Sequence, residues 1–429
     1  MQIVYQVLFL IALSAATYLF SRRALGIRRN ILLGRDVALN DQPAARWKNL
    51  FLLAFGQKKM FRNPLVAVLH FFVYAGFLII NIEILEIIID GLAGTHRIFA
   101  PVLGPLYAIL IGCFEILAVL VAVSCAIFLV RRNIIKLKRF LSKDLNGWPR
   151  SDANYILITE IVLMALFLTM NTADLVLQSR GAEHYIQTQP FWVTSLFTPL
   201  LSGLSDSALI AIERGAWWLH ILGVLAFLNY LPFSKHLHII LAFPNAYYAD
   251  LRPKGKMENM PEIQQEVLYA MQPELAPTTP SETVPKFGAK DIQDLTWKNL
   301  LDAYACTECG RCSAACPATQ TGKALSPRLI MMKTRDRAEE VGRGAGENKT
   351  LLRDYITEEE LRACTTCNAC VMECPVSINP LHIILQMRRH LVMEESSAPQ
   401  EWNMMFSNIE NNMAPWKFSP DDRDAWTQQ

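Results

Sequence analysis

Two short runs of cysteine carry the chemistry. Cys306-x2-Cys309-x2-Cys312-x3-Cys316-Pro317 is followed by Cys364-x2-Cys367-x2-Cys370-x3-Cys374-Pro375. Each run is complete for the bacterial pattern that holds a four-iron–four-sulfur cube. Three thiolates at this spacing sit on one tight loop and reach three corners of one cube. The fourth points away to the other cube, and the proline ends the loop. The spacing therefore predicts one cluster on Cys306, Cys309, Cys312 and Cys374, and a second on Cys364, Cys367, Cys370 and Cys316. Structural zinc is the plainer alternative, but it takes four ligands, usually as two pairs around a finger-length insert. Duplicated three-plus-one runs fit that badly. Neighbouring one-electron carriers conduct electrons rather than make bonds. Eight of ten cysteines in such runs also argue against secreted disulfides and for a reducing compartment.

The remaining composition says where this chemistry is held. The chain has 429 residues, 52% hydrophobic and only 19% charged, which is unlike a wholly soluble globule. Its 41 basic and 39 acidic residues nearly cancel, so nothing marks it for nucleic acid. Five apolar stretches reach the roughly 20 residues that cross a bilayer: about Val4–Phe20, Leu65–Ile89, Leu106–Val130, Tyr155–Val176 and Leu209–Phe233. The first has no basic residue before it and Arg22, Arg23, Arg28 and Arg29 after it, the reverse of a signal peptide. Ten Lys and Arg lie between 21 and 63 and seven between 131 and 150, against only Arg97 and Arg180 in loops 90–104 and 178–208. The positive-inside rule then puts the N-terminus outside and everything after Phe233 in the cytoplasm, at a bacterial or archaeal cytoplasmic membrane.

A Pro-rich stretch at 252–286 reads as a linker, with a helix expected at Glu262–Met271. Gly342-Arg-Gly-Ala-Gly346 follows no strand and is a turn rather than a nucleotide fingerprint. The expected architecture is all-α: a five-span bundle (1–245), a linker (246–289), a helical dicluster domain (290–392), and a tail (393–429) with exposed aromatics, suited to partner contact.

The first cysteine run, followed by Gly322-Lys323-Ala-Leu-Ser-Pro-Arg328, resembles the α-helical ferredoxin domain. That domain occurs in heterodisulfide reductase-type small subunits and in the iron–sulfur subunit of succinate dehydrogenase.

Three histidines add a second redox group. His70 lies about one and a half turns into span two, on the cytoplasmic side. His220 lies in the outer half of span five and His238 at that span's cytoplasmic end. A straight helix puts His220 and His238 on one face, about 27 Å apart. Intramembrane histidines are functional candidates, and this pair suggests axial ligation of haem b. With Pro232-Phe233-Ser234-Lys235-His236-Leu237-His238 closing span five, residues 1–245 resemble the cytochrome b subunit of respiratory nitrate reductase and the related heterodisulfide reductase membrane subunit. The resemblance implies that His70 and His238 hold the cytoplasmic-side haem and His220 an outer one. Yet Ile80 and Asn81 stand where that family places His220's partner. This leaves one haem, or an outer haem completed by His96 or His184 from the outer loops, or His220 as a hydrogen-bonded interior residue. The helical wheel turns His236 about 160° from His238, toward solvent, and leaves His382 and His390 as ordinary helix residues.

Glu83, Glu86, Glu115, Glu160 and Asp174 also lie within spans, as proton-path groups or as satisfied packing groups. Cys113 and Cys125 are too far apart along one helix to bridge and read as packing residues.

The parts together predict an electron-transfer subunit of a quinone-linked oxidoreductase. Electrons pass between membrane quinone, haem b, two [4Fe-4S] clusters and a cytoplasmic partner. The chain has no flavin, nicotinamide or molybdenum fingerprint and no Cys-Cys-Gly repeats. Substrate chemistry is therefore expected on a separate heterodisulfide reductase-like or flavoprotein chain. The tail with Asn408-Ile-Glu-Asn-Asn412 and Trp416 resembles the linker preceding such a catalytic half. The alternative is a haem-free, membrane-tethered dicluster ferredoxin.

Overall fold

A computed structural model describes residues 2–277, 286–417, 419–422 and 424–428. The linker prolines Pro280 and Pro285 lie outside these residues. The described residues form helices and turns, with two isolated bridges and no strand. Five helices are long and apolar enough to cross a membrane: α1 (Gln2–Ile31), α2 (Pro64–Ala93), α3 (Pro105–Asn133), α4 (Trp148–Ser179) and α5 (Asp206–Tyr230). Local signals set their ends. Asn63 caps α2 by accepting from the Val66 amide, Pro64 occupies the first turn, and Gly94 ends the helix at φ 71°. Ser205 caps α5 through the Ala208 amide.

The bundle is ordered by neighbours: α2 and α4 flank α3, α4 runs along α5, and α1 lies against α2 and α5. The helices overrun the expected spans. α1 extends to Ile31 because Ile27 and Ile31 are buried in the core of the C-terminal domain rather than in the bundle. Residues 21–31 are therefore a stalk shared by both parts.

α5 stops at Tyr230. Short 3-10 turns at Leu231–Phe233 and Lys235–Leu237 follow, and α6 (His238–Tyr247) then starts afresh. Pro232 and the extended Ser234 break the helix, and Ser234 Oγ caps the His236 amide. A straight-helix distance from His220 to His238 does not apply.

The dicluster segment includes α7 (Trp297–Tyr304), α8 (Arg311–Ala315), α9 (Pro327–Gly342), α10 (Ala369–Glu373) and α11 (Pro380–Met393), with short helices at Pro317–Gln320 and Glu358–Arg362, and is followed by α12 (Gln400–Asn412). The expected linker helix is present at Pro261–Met271. Gly344 and Gly346 turn the chain after α9 at φ 70° and 71°.

This segment docks on the basic loops of the bundle. Arg328, 1% exposed, donates to Asp144 (2.6 and 2.9 Å), to Ser142 Oγ (2.9 Å) and to the Arg139 carbonyl (3.1 Å). Lys59 Nζ reaches the Cys374 carbonyl at 2.8 Å, and Asn245 Nδ2 the Val376 carbonyl at 2.9 Å. Lys235 pairs with Glu308 at 2.8 Å, and Arg23 with Glu339 at 2.8 Å. Removing one partner of a buried ion pair leaves the other charge uncompensated, at a cost of about 3–5 kcal/mol. Arg328→Met is therefore expected to undock the segment from loop 138–145. Faster proteolysis of that loop in the intact chain, with a lower midpoint of thermal unfolding, is the measurable result.

Candidate electron-transfer centre

The two cysteine runs repeat in backbone as well as in sequence. Glu308 and Thr366, each just before the second cysteine, have φ 54° and 56°. Gly310 and Asn368, each just after it, have φ 73° and 62°. Left-handed backbone is costly for side chains other than glycine, so its recurrence marks one loop geometry used twice. Each loop enters a five-residue helix, α8 or α10, and these pack together. At Gly310 a Cβ would come within 2.6 Å of the Arg328 guanidinium, so the residue that docks the domain also requires glycine here.

The fourth cysteines cross over. Cys374 lies within electrostatic reach of Cys309 and Cys312, and Cys316 within reach of Cys364 and Cys370. Cys370 also lines the small cavity bounded by Cys306, Cys309, Cys312 and Cys374. Burial pushes the Cys374 thiol up to about 11, and the neighbouring thiols add to a burial-driven rise at Cys312. Such thiols stay neutral unless a metal supplies positive charge. Backbone amides already point at the sulfurs: Ile378 N–H donates to Cys374 Sγ at 3.3 Å and Thr366 N–H to Cys364 Sγ at 3.4 Å. Among the described residues no three His, Cys, Asp or Glu side chains stand close enough to share a single metal ion. The donor set, its crossing and the amide contacts fit two clusters. Cys367 is the exposed member and Cys306, Cys316, Cys370 and Cys374 are buried.

Between the first loop and the bundle lies a cavity of about 330 Å³. It is lined by His70, His236 and His238 and touches Thr307, Glu308, Cys309, Arg311 and Pro375. His70 Nδ1–H donates to Gln57 Oε1 at 3.0 Å, and His238 Nδ1–H donates to the Lys235 carbonyl at 3.0 Å. Both tautomers are thereby set with Nε2 as the free donor atom, the usual arrangement behind a ligating histidine. Arg131, Arg132, Arg139 and Arg311 line the same cavity and match the two carboxylates of a haem. These residues fit the group. Lys235 links the cavity to the first cysteine loop: its carbonyl holds His238, and its Nζ pairs with Glu308. Burial opposes ionisation of Glu308, but Lys235 and Arg335 hold its carboxyl below the ordinary value.

His236 overturns its expected solvated role. It is 8% exposed, and its ring centroid lies 5.6 Å from that of His238. Helical-wheel placement fails here because residues 235–237 are not α-helical. Nothing in the composition signals this, although Pro232 and Ser234 mark the break. His220 is 1% exposed, and its Nδ1–H donates to the Leu163 carbonyl at 3.0 Å. Its ring neighbour is Phe167. His96 instead faces Asp174 at 3.3 Å, with His184 and Tyr185 beside it. No described contact joins His96 or His184 to His220.

Three intramembrane carboxylates are held by polar partners, although Asp174 Oδ1 is buried without a hydrogen bond. Glu86 accepts from Tyr107 and the Phe99 amide, Glu115 from the Val193 and Thr194 amides, and Asp174 pairs with Arg97. Together they clamp the loops around residues 97–99 and 193–194. Cys113 is exposed on α3, whereas Cys125 is buried beside the cavity.

Comparison with known proteins accords with this geometry. Residues 302–378 match the family model of the 4Fe-4S dicluster domain. The chain is 30% identical to a probable iron-sulfur-binding oxidoreductase, FadF, of Bacillus subtilis, over 98% of this chain and 60% of that protein. It is 26% identical to the EtfAB:quinone oxidoreductase of Syntrophomonas wolfei, over 93% of this chain and 56% of the relative. A shorter match, 31% over 23% of the chain and 53% of the relative, is to one subunit of the ferredoxin/F420H2-dependent CoB-CoM heterodisulfide reductase of Methanosarcina acetivorans. The chain thus spans less than two thirds of the length of the first two relatives. No solved structure matches it. The five-helix bundle carries a 4Fe-4S dicluster ferredoxin domain on its basic loops.

Proposed function

We propose that this chain is the membrane electron relay of a quinone-linked oxidoreductase. The observation that carries the reading is the single cavity bounded by His70 and His238 on one side and by the Cys309 loop on the other. Cys306, Cys309, Cys312 and Cys374 would hold one cluster and Cys364, Cys367, Cys370 and Cys316 the other. His70 and His238 would hold haem b through Nε2. When bound, these groups carry single electrons between a membrane quinone and a protein partner. The chain's own residues fix ligand orientation through Gln57 and Lys235, keep the docked loops rigid through Arg328, and exclude water with the apolar lining of the cavity.

The relatives' names, an EtfAB:quinone oxidoreductase and a heterodisulfide reductase subunit, support a quinone and a catalytic partner of flavoprotein or Cys-Cys-Gly type. The positive loops support a cytoplasmic ferredoxin domain in a bacterial or archaeal cytoplasmic membrane, with the N-terminus outside and the tail at 393–429 facing the partner. Boundaries near 245, 289 and 392 divide bundle, linker and domain.

A redox-titrated absorbance spectrum of the purified chain tests this. Reduced b-type bands with about eight cluster irons and one haem iron per chain are expected. Broad iron–sulfur absorbance alone would make the bundle a mere tether. His220→Leu should leave the b-type bands unchanged, because no described contact places a second ligand opposite it. Loss of half the haem would instead restore an outer site.

A further inference from the structure

The cavity shared by His70 and His238 holds polar groups that a porphyrin does not need. Haem carries both carboxylates on one edge, and the arginines lie at the ferredoxin end of the cavity. The opposite edge is hydrocarbon and calls for an apolar wall. Deeper in the bundle than His70, however, the cavity is lined by Tyr74 and Glu160, and His236 lines it as well. The Tyr74 hydroxyl and His236 Nε2 are buried with no hydrogen-bond partner. Such groups cost free energy unless something occupies the space before them. Glu160 is also 8% exposed, and its carboxylate lies 4.0 Å from His236 Nε2, beyond hydrogen-bond length. Phe77 and Phe227 flank the His236 ring, at 6.4 and 5.4 Å between centroids.

We propose that Tyr74, His236 and Glu160 form the head-group site of the membrane quinone, in the half of the bundle nearer the ferredoxin domain. This rests on the reading above of a haem held by His70 and His238. The chemistry of the three groups selects the ligand class. A quinone is a flat apolar ring with carbonyl oxygens at opposite ends. Tyr74 O–H and the His236 N–H are donors for those oxygens, and the phenylalanines pack on the ring. In the quinol form a hydroxyl replaces the carbonyl and needs an acceptor, which is the Glu160 carboxylate. One site thus serves both redox states with different side chains.

The test uses the full chain in detergent, with haem content measured first and affinity for menadione and for its quinol measured by calorimetry. Tyr74→Phe and His236→Phe should each weaken menadione at least about tenfold, as loss of one buried hydrogen bond does, with haem content unchanged in Tyr74→Phe. Glu160→Ala should weaken the quinol by a similar factor and leave menadione alone. Equal menadione affinity in wild type and Tyr74→Phe, or no binding by haem-loaded wild type, overturns the site and leaves ordered water as its occupant. If His236→Phe loses haem, Tyr74→Phe and Glu160→Ala decide. A wild type without haem refutes the underlying reading, whatever it does with menadione.

Discussion

Replacing Cys374 with alanine should remove about four of some eight irons, and the cluster lost should be the one on the first cysteine run. Cys374 stands in the second run, so sequence proximity alone predicts the opposite. In the fold its thiol lies within electrostatic reach of Cys309 and Cys312. Its carbonyl is held by Lys59, and its sulfur already accepts the Ile378 amide. The mirror variant, Cys316→Ala, should empty the second run. Double variants make the assignment strict. Cys374→Ala with Cys312→Ala should lose no more iron than either alone, because both ligate one cube. Cys374→Ala with Cys367→Ala should lose nearly all of it. Additive loss in the first pair, by iron analysis and electron paramagnetic resonance of the reduced protein, would show that the ligands do not cross. The two clusters are also inequivalent. The first abuts the bundle through Glu308 and Lys235, while the second carries the exposed Cys367. Cys374→Ala should therefore disconnect the bundle from external reductant, whereas Cys316→Ala should slow the entry of electrons from a protein partner.

Residue spacing carries much of this arrangement. The cysteine runs impose their own local geometry, so their loops can be read directly and recur as matched left-handed residues in the fold. The spans follow from apolar length, and the basic loops mark the side on which the ferredoxin domain docks. What spacing does not show depends on contacts between distant segments. In the sequence Arg328 is only part of a motif, yet it is the most deeply buried cation of the docking interface, with partners some 185 residues earlier in the chain. α1 outruns its hydrophobic stretch because Ile27 and Ile31 belong to another core. His236 is misplaced when helical periodicity is extended through Pro232, whose ring ends any such extrapolation. The carboxylates divide in a way no pattern foretells: Glu86, Glu115 and Asp174 close loops, whereas Glu160 faces a cavity.

The second large effect is expected from His70→Ala, which should abolish the b-type absorbance while leaving iron–sulfur content intact. His70 is fixed by two features that act together. Its position in the second turn of α2, just after the Asn63 cap, sets its height in the bundle. Gln57 then fixes the ring from a separate turn, through Nδ1, so that Nε2 faces the cavity opposite the segment that carries His238. Removing the imidazole would remove one of the two side chains proposed to hold the haem, and the one other polar residue of α2 that lines the cavity, Tyr74, presents a phenol rather than an imidazole. His238→Ala gives a sharper test of the bend after Pro232, because His236 lies 5.6 Å away and could supply a replacement imidazole. A b-type spectrum that survives in His238→Ala but vanishes in the His236/His238 double variant would assign that substitution of one ring for the other. Gln57→Leu should leave haem bound but weaken its retention roughly 10–100-fold, the usual cost of losing the partner that orients a ligand. The ranking His70→Ala, then His238→Ala, then Gln57→Leu follows from which group donates the lone pair and which only aims it. A haem signal that stays whole in His70→Ala would remove α2 from the centre and, with it, the wiring of this cavity to the Cys309 loop.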